Sequence, residues 1–191
     1  MRLPDFRKGA ARCLSSVPAR FLVGRMSPNA LSLVGFLLSL LAASQVALGH
    51  LLWGGLLVLL AGFVDLLDGA VARLGGKATP FGAVLDSALD RLSEAAVLLG
   101  LVVHFWGSSM VYLIYAVLVG SFLVSYIRAR GEGLGLVMET GLFTRGERVV
   151  VLALGLVFPV VLWPALALIA LFSWFTVGER LFSVWQKTAK R

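Results

Sequence analysis

Long apolar runs separated by short polar connections dominate the chain. Runs that approach or exceed 18 apolar residues with almost no charge are typical of transmembrane helices. The runs fall at Leu31–Leu48, Leu51–Val64, Ala95–Val103, Val111–Val124 and Val149–Val177. Because they leave no stretch long enough for a soluble domain, the pattern predicts an all-α integral membrane protein whose helices pack mainly against one another.

Cap and turn residues set the limits of the first four predicted spans. Ser27-Pro28 is typical of a helix start, with the serine as the cap and the proline in the first turn. Thr79-Pro80 has the same form, and Gly75-Gly76 ends the helix before it. The predicted spans are about 31–48, 51–73, 80–103 and 110–128.

The last apolar run, Val149–Val177, fits neither one span nor two. Its 29 residues are too many for one untilted helix and too few for two complete spans. Pro159 and Pro164 lie near its middle, and Arg148 and Arg180 flank it. A hairpin of two helices that use some flanking residues accommodates the prolines and leaves both arginines on the same side. We therefore predict six transmembrane helices, with five as the alternative.

The segment before the first span predicts a different kind of helix. Residues 4–24 mix apolar positions such as Phe6 with basic ones such as Arg7, a spacing typical of an amphipathic helix in the membrane interface. No domain boundary is visible along the chain. Residues 1–191 are therefore predicted to form one membrane-embedded domain, with the interfacial helix at 4–24 and the transmembrane bundle at 31–186.

Composition and charge agree with a membrane location. Hydrophobic residues make up 59% of the chain and charged residues 14%, whereas soluble domains have about 45–50% and about 25%. The net charge is +7, and apart from Arg91 the basic residues lie at the termini and in two connections, the second-to-third and the fourth-to-fifth. By the positive-inside rule, those regions face the cytoplasm, which predicts a multi-pass protein of the plasma membrane. A nucleic-acid partner is not expected, because the charge marks topology and an anionic lipid surface.

Four carboxylates interrupt the second and third spans. Asp65 and Asp68 are three residues apart and share one helix face, and Asp86 and Asp90, four apart, share a face of the next helix. These two helices are predicted to be antiparallel and joined by a short connection, so the acidic faces can meet. Carboxylate oxygens are the preferred ligands of small hard cations. The spacing therefore predicts a site for one or two Mg²⁺ or Mn²⁺ ions, with two expected.

A structural explanation of these acids is that they pair with Arg73 and Arg91 or face water. An aspartate at a helix centre costs roughly 2.5–3.5 kcal/mol on insertion scales. Packing alone does not offset this cost for four aspartates, so a metal site or an ion path is favoured. A cation transporter could use intramembrane acids in this way, and an enzyme could use the bound metal to activate a phosphate group.

The residues around the acids favour the enzyme over the transporter. Gly69 and Ala72 remove bulk from the acidic face, which lets a ligand approach the backbone closely. Arg73 can pair with a phosphate group. Cation transport would need no such phosphate-binding accessory.

Together these residues form the pattern Asp65-x2-Asp68-Gly69-x2-Ala72-Arg73-x8-Gly82-x3-Asp86-x3-Asp90. Its eight specified residues over 26 positions resemble the full signature of the CDP-alcohol phosphatidyltransferase family. Members of that family transfer a phosphatidyl group from a CDP-linked lipid to an alcohol and release CMP. The predicted six-span topology with an interfacial helix is also similar to the fold of the family.

The resemblance implies a role for each residue of the pattern. Asp65, Asp68 and Asp86 would be metal ligands, and Asp90 would be the general base and a further ligand. The residues that it places at the CDP-lipid site are Asp65, Asp68, Gly69, Ala72, Arg73 and Gly82. It also implies a homodimer.

Two further segments resemble the branch of the family that uses inositol phosphate as the acceptor. They are Ser125-Tyr126-Ile127-Arg128-Ala129-Arg130-Gly131-Glu132 and Thr144-Arg145-Gly146-Glu147-Arg148, in which Gly131 replaces the usual alanine and Gly146 the usual proline. Five arginines are predicted to approach the cytoplasmic mouth and to bind the acceptor phosphate, because a guanidinium fork suits a phosphate monoester. They are Arg128, Arg130, Arg145, Arg148 and Arg180.

Two alternatives to this acceptor prediction stay open. The arginines could merely obey the positive-inside rule, and glycerol 3-phosphate would satisfy the same charge argument, which would make the protein a phosphatidylglycerophosphate synthase. His50 and His104 fall on the opposite side of the membrane and are predicted to be interfacial.

Overall fold

The computed structural model describes residues 18–19, 21–76, 79–138, 141 and 143–189. Within these residues the regular structure is entirely helical. The helices are α1 (Pro28–Ala47), α2 (Leu51–Leu74), α3 (Pro80–His104), α4 (Met110–Gly133), α5 (Arg145–Val157) and α6 (Leu162–Thr188), with a 3-10 turn at Pro159–Val161 between the last two.

The predicted cap residues begin and end these helices. The Ser27 side chain accepts a hydrogen bond from the Ala30 backbone N–H at 3.2 Å. Thr79 caps α3 in the same way, with Oγ1 accepting from the Gly82 N–H at 3.0 Å. Gly75 caps the end of α2, and Gly76 follows with a φ of +60°, a conformation that favours glycine. The predicted limits of the first four helices are thus confirmed to within a few residues.

The ambiguous last run forms two helices rather than one. α5 ends at Val157, and Pro159 begins the turn that leads into α6. The two helices then pack against each other closely, since a Cβ on Gly155 would lie 3.0 Å from the Ala165 Cβ. The predicted pair of helices is confirmed, and the crossing of the membrane by both stays a prediction.

Four stretches among the described residues are long and apolar enough to cross a membrane by length and composition. They are Pro28–Ala47, Leu51–Leu74, Met110–Gly133 and Pro159–Thr188. α3 carries four charged residues in its first two-thirds, and α5 has 13 residues. Both therefore differ from a simple apolar span.

Helix α1 holds the acid-bearing helices in place, because it packs along both α2 and α3. The contact with α3 is close: a Cβ on Gly100 would lie 2.5 Å from the Ala43 carbonyl oxygen. On the other side, α5 packs on α2, and α6 packs on α4 and α5. The main core lies where these helices meet and includes Val46, Val58 and Leu101.

The predicted interfacial helix at 4–24 falls mostly outside the described residues. Within them, Pro18, Ala19, Phe21 and Leu22 are helical. Ala19 is buried against a small cluster that includes Leu67. The end of this segment thus lies against the acid-bearing half of the bundle.

Candidate metal centre and active site

Three of the four predicted acids meet at one point. Asp65 and Asp68 of α2 and Asp86 of α3 each offer a carboxylate oxygen, and these oxygens all lie within 4.8 Å of one another. Asp68 is buried, and the other two are half-buried. Their meeting follows from the predicted spacing, which puts each acid on the inner face of its helix, and from α1, which packs against both helices.

The surroundings of these oxygens fit a cation. Ser32 of α1 donates a hydrogen bond from Oγ to Asp68 Oδ2 at 2.7 Å. Asp86 Oδ1 is buried and has no hydrogen-bond partner among the described residues. A buried carboxylate oxygen without a donor is unfavourable unless a ligand reaches it. The donor set is all oxygen, as Mg²⁺ and Mn²⁺ prefer.

Asp90 lies outside this group of three and is held by an arginine from a distant part of the chain. Arg145 Nη1 lies 2.7 Å from Asp90 Oδ2 and 2.9 Å from Asp65 Oδ2. All three side chains are 20–29% exposed. The acids therefore do form ion pairs, but with Arg145 of α5 rather than with the nearby Arg73 and Arg91 of the structural explanation.

A cavity of about 220 Å³, the glycine cavity, adjoins the carboxylate cluster. Its lining contains the four small and basic residues of the pattern, namely Gly69, Ala72, Arg73 and Gly82, together with Asp68 and Asp86. A Cβ on Gly82 would lie 3.0 Å from both Asn29 Oδ1 and Thr79 Oγ1. Glycine at this position keeps the cavity open where α1 and α3 approach each other. Five of the six residues predicted for the CDP-lipid site thus line one cavity, and the sixth, Asp65, is not among its lining residues.

A second cavity of about 330 Å³, the arginine cavity, lies on the side of Asp90. Four of the five predicted acceptor arginines line it, namely Arg128, Arg145, Arg148 and Arg180. Arg130 is not among its lining residues and is exposed near the end of α4. Arg91 lines it instead. The cavity lining therefore has five arginines and two carboxylates, Asp90 and Glu132.

The arginines of this cavity are each held by another group. Arg148 donates two hydrogen bonds to Glu94 in the core. Arg180 donates to the Val124 carbonyl, and Arg128 pairs with Glu132 at 2.8 Å across an exposed helical turn. Arg148 and Arg180 are thus held by contacts between helices, whereas Arg128 is held within its own helix.

Four residues that line these cavities were not predicted from the sequence as site residues. They are Asn29, Ser32, Arg91 and Glu94. Glu94 had a usable signal, because it extends the four-residue spacing of Asp86 and Asp90 by one more turn. Asn29 and Ser32 had none, since only the packing of α1 shows which of its faces meets the acids.

Comparison with known proteins agrees with this geometry. Residues 25–185 match the family model of the CDP-alcohol phosphatidyltransferases. The chain is 36% identical to the archaetidylinositol phosphate synthase of Methanothermobacter thermautotrophicus, covering 97% of this chain and 99% of that protein. It is also 36% identical to the phosphatidylinositol phosphate synthase of Mycobacteroides abscessus, over 93% of this chain and 86% of that protein.

Solved structures give the same result. The phosphatidylinositol phosphate synthase of Mycobacterium tuberculosis with CDP-DAG bound superposes with a TM-score of 0.80 at 34% identity, covering 91% of this chain and 94% of that one. The same enzyme in complex with manganese and citrate gives a TM-score of 0.79, covering 90% of this chain and 88% of that one. The protein described here is therefore a multi-pass membrane transferase that belongs to the CDP-alcohol phosphatidyltransferase family.

Proposed function

We propose that this protein transfers a phosphatidyl-type group from a CDP-linked lipid, CDP-diacylglycerol or CDP-archaeol, to inositol phosphate and releases CMP. One observation carries the proposal: a cavity lined by five arginines opens on Asp90, next to the carboxylate cluster. Such a cavity suits an acceptor that brings its own phosphate. The similar proteins named as archaetidylinositol and phosphatidylinositol phosphate synthases support the same choice.

The glycine cavity is the proposed site of the CDP-linked lipid. Gly69, Ala72 and Gly82 leave room for the diphosphate, and Arg73 contributes a positive charge beside it. The related enzyme solved with CDP-DAG bound supports this choice of donor. Asp68 and Asp86 line the same cavity, so donor and carboxylates would be in contact.

Asp65, Asp68, Asp86 and Asp90 are the proposed ligands of divalent metal, with two Mg²⁺ or Mn²⁺ ions expected. The close approach of three of these carboxylates and the unpartnered Asp86 oxygen support this assignment, as does the manganese complex of the related enzyme. Bound metal would neutralise the negative charge that develops on the diphosphate during transfer.

The residues of the chain have separate tasks in the proposed reaction. The arginines of the second cavity hold the acceptor by its phosphate, which brings a hydroxyl group to Asp90. Asp90 accepts the proton of that hydroxyl as general base. The hydroxyl oxygen forms a bond to the lipid-side phosphorus, and the bond from that phosphorus to the oxygen of CMP breaks. The product is a phosphodiester, and no covalent enzyme intermediate is required.

The proposal includes the membrane arrangement. Residues 1–191 form a single domain, with an interfacial helix at 4–24 and a six-span bundle at 31–186. The six spans are the four long apolar stretches together with α3 and α5. Both termini and the two cavities lie on the cytoplasmic side of the plasma membrane, as the distribution of Lys and Arg supports. The protein is proposed to act as a homodimer.

A single assay tests the function. Purified protein in lipid nanodiscs receives Mg²⁺, a CDP-linked lipid and one of four acceptors: inositol 1-phosphate, glycerol 3-phosphate, inositol or serine. Release of CMP with inositol 1-phosphate is the expected result. Release with glycerol 3-phosphate alone would make the protein a phosphatidylglycerophosphate synthase, and release with a neutral acceptor alone would overturn the role of the arginine cavity.

A further inference from the structure

A buried carboxylate–arginine pair lies one helical turn beyond Asp90. Glu94 of α3 accepts two hydrogen bonds from Arg148 of α5, from Nε to Oε1 at 2.9 Å and from Nη2 to Oε2 at 3.0 Å. The Glu94 side chain is 7% exposed and the Arg148 side chain 2%. The pair is therefore bidentate and almost fully withdrawn from solvent. Glu94 lies outside the family pattern, which ends at Asp90.

Packing alone explains this pair poorly. Burying two charges carries a desolvation penalty that their mutual attraction only partly offsets, and apolar residues of similar volume often join two helices as well. In addition, Arg148 Nη1 is buried and makes no hydrogen bond within the part of the chain that the structure describes. A guanidinium with a purely structural role would be expected to use all its donors. The unused Nη1 indicates a ligand.

Only one member of the pair reaches the arginine cavity. Arg148 lines the arginine cavity together with Asp90 and Arg145. Glu94 does not line that cavity, although both residues line a smaller space of about 40 Å³. A molecule in the arginine cavity would therefore meet Arg148, and the hydrogen bonds of Glu94 to this cavity's lining run through Arg148.

The first turn of α5 fixes the backbone from which Arg148 extends. Thr144 and Glu147 form a capping box, in which the Glu147 side chain accepts from the Thr144 N–H at 2.6 Å. With the backbone set by this cap, the orientation of the guanidinium depends on the carboxylate that holds it. A planar guanidinium held along one edge points its remaining N–H groups in one direction.

We infer that Glu94 is a positioning residue, which orients Arg148 so that its unused Nη1 can reach the phosphate of the acceptor. This inference rests on the proposed function, because it assumes a phosphorylated acceptor in the arginine cavity. Loss of Glu94 would therefore disturb the binding of the acceptor phosphate.

The test replaces Glu94 by glutamine, which keeps the size of the side chain and removes its charge. Purified Glu94→Gln, Arg148→Gln and the double variant are assayed in nanodiscs with the phosphorylated acceptor that the wild-type protein uses. For Glu94→Gln we expect the acceptor KM to rise at least tenfold, and the KM of the CDP-lipid to change less than twofold. In the Arg148→Gln background, the same substitution should change the acceptor KM less than twofold, because Glu94 acts through Arg148.

Several results would overturn the inference. An equal rise in both KM values, or the same rise in both backgrounds, would show that Glu94 does not act on the acceptor through Arg148. If Glu94→Gln fails to fold, Glu94→Asp decides, since it keeps the charge but shortens the side chain by one carbon. A folded Glu94→Asp variant with a wild-type acceptor KM would contradict the inference.

Failure of the proposed function would look different. If the wild-type protein releases CMP only with a neutral acceptor, the proposed function fails before any variant is compared, and the inference fails with it. If the wild-type protein prefers glycerol 3-phosphate, the proposed acceptor is wrong. The role of Glu94 is then tested with that phosphate in the same double-variant comparison.

Discussion

Arg145 Nη1 lies 2.7 Å from Asp90 Oδ2, and the same nitrogen lies 2.9 Å from Asp65 Oδ2. One guanidinium nitrogen thus joins the proposed general base to a proposed metal ligand. Arg145 also lines the cavity assigned to the acceptor. Because a cation next to a metal ligand competes electrostatically with the metal, this arginine links the metal centre to the acceptor cavity.

Arg145→Gln should increase the affinity of the substrate-free protein for divalent metal. Removing the positive charge beside Asp65 and Asp90 leaves both carboxylates more attractive to a cation. We expect Mn²⁺ to bind about tenfold more tightly, which corresponds to roughly 1.4 kcal/mol. The measurement is titration with Mn²⁺ followed by electron paramagnetic resonance, which reports free Mn²⁺ without any turnover.

Lys187→Gln provides the matched loss of one positive charge. Lys187 lies in the last turn of α6, where it donates to the Val137 carbonyl, and it lines none of the three cavities described above. Its replacement should leave Mn²⁺ affinity within twofold of wild type. An equal gain in the two variants would mean that net charge, rather than the contact with Asp65 and Asp90, controls metal affinity.

Asp90→Asn and Asp65→Asn should differ in what they lose. Both keep the size of the side chain, but Asp65 belongs to the cluster of three converging carboxylates and Asp90 lies outside it. Asp90→Asn should lower CMP release by at least about a thousandfold, because asparagine cannot act as a base, while Mn²⁺ affinity falls less than it does in Asp65→Asn. Equal loss of metal affinity in the two variants would show that Asp90 is mainly a ligand.

Local signals were sufficient to predict the helices and the acidic cluster. Ser27-Pro28, Thr79-Pro80 and Gly75-Gly76 are caps that act within a few residues of their own position, so they can be read without knowledge of the fold. The spacing of Asp65 and Asp68 and of Asp86 and Asp90 likewise determines a shared helix face. For this reason the meeting of three carboxylates and the hairpin within 149–177 were both predictable.

Contacts between distant segments were not predictable in the same way. Arg145 is 80 residues from Asp65, and its pairing depends on how α5 packs against the acid-bearing helices. Arg128 and Arg130 were both predicted to bind the acceptor phosphate, although the rotation of the helix puts only Arg128 at the cavity. Ser32 reaches Asp68 because α1 lies against α2. These features depend on helix rotation and tertiary packing, for which neighbouring residues carry no signal.

Gly100→Ala should destabilise the bundle without entering either cavity. A Cβ at this position would lie 2.5 Å from the Ala43 carbonyl oxygen, and this atom cannot move aside because it belongs to the backbone of α1. The helices would have to separate, and forcing extra volume into a packed contact costs typically 1–3 kcal/mol. Thermal unfolding in detergent, followed by circular dichroism, should show a lower midpoint. An unchanged midpoint would mean that α1 and α3 can move apart freely.

Gly82→Ala should weaken binding of the CDP-linked lipid more than it affects the fold. The added methyl group would lie 3.0 Å from Asn29 Oδ1 and Thr79 Oγ1, at the wall of the glycine cavity. The side chains must shift by a few tenths of an ångström, and the cavity loses part of its volume beside the carboxylates. We expect the KM of the CDP-lipid to rise about tenfold, with the acceptor KM within twofold of wild type.

Gly133→Ala is the matched control, because nothing lies within 4 Å of a Cβ at that helical position. A wild-type KM for the CDP-lipid in Gly82→Ala would contradict the assignment of the glycine cavity to the donor.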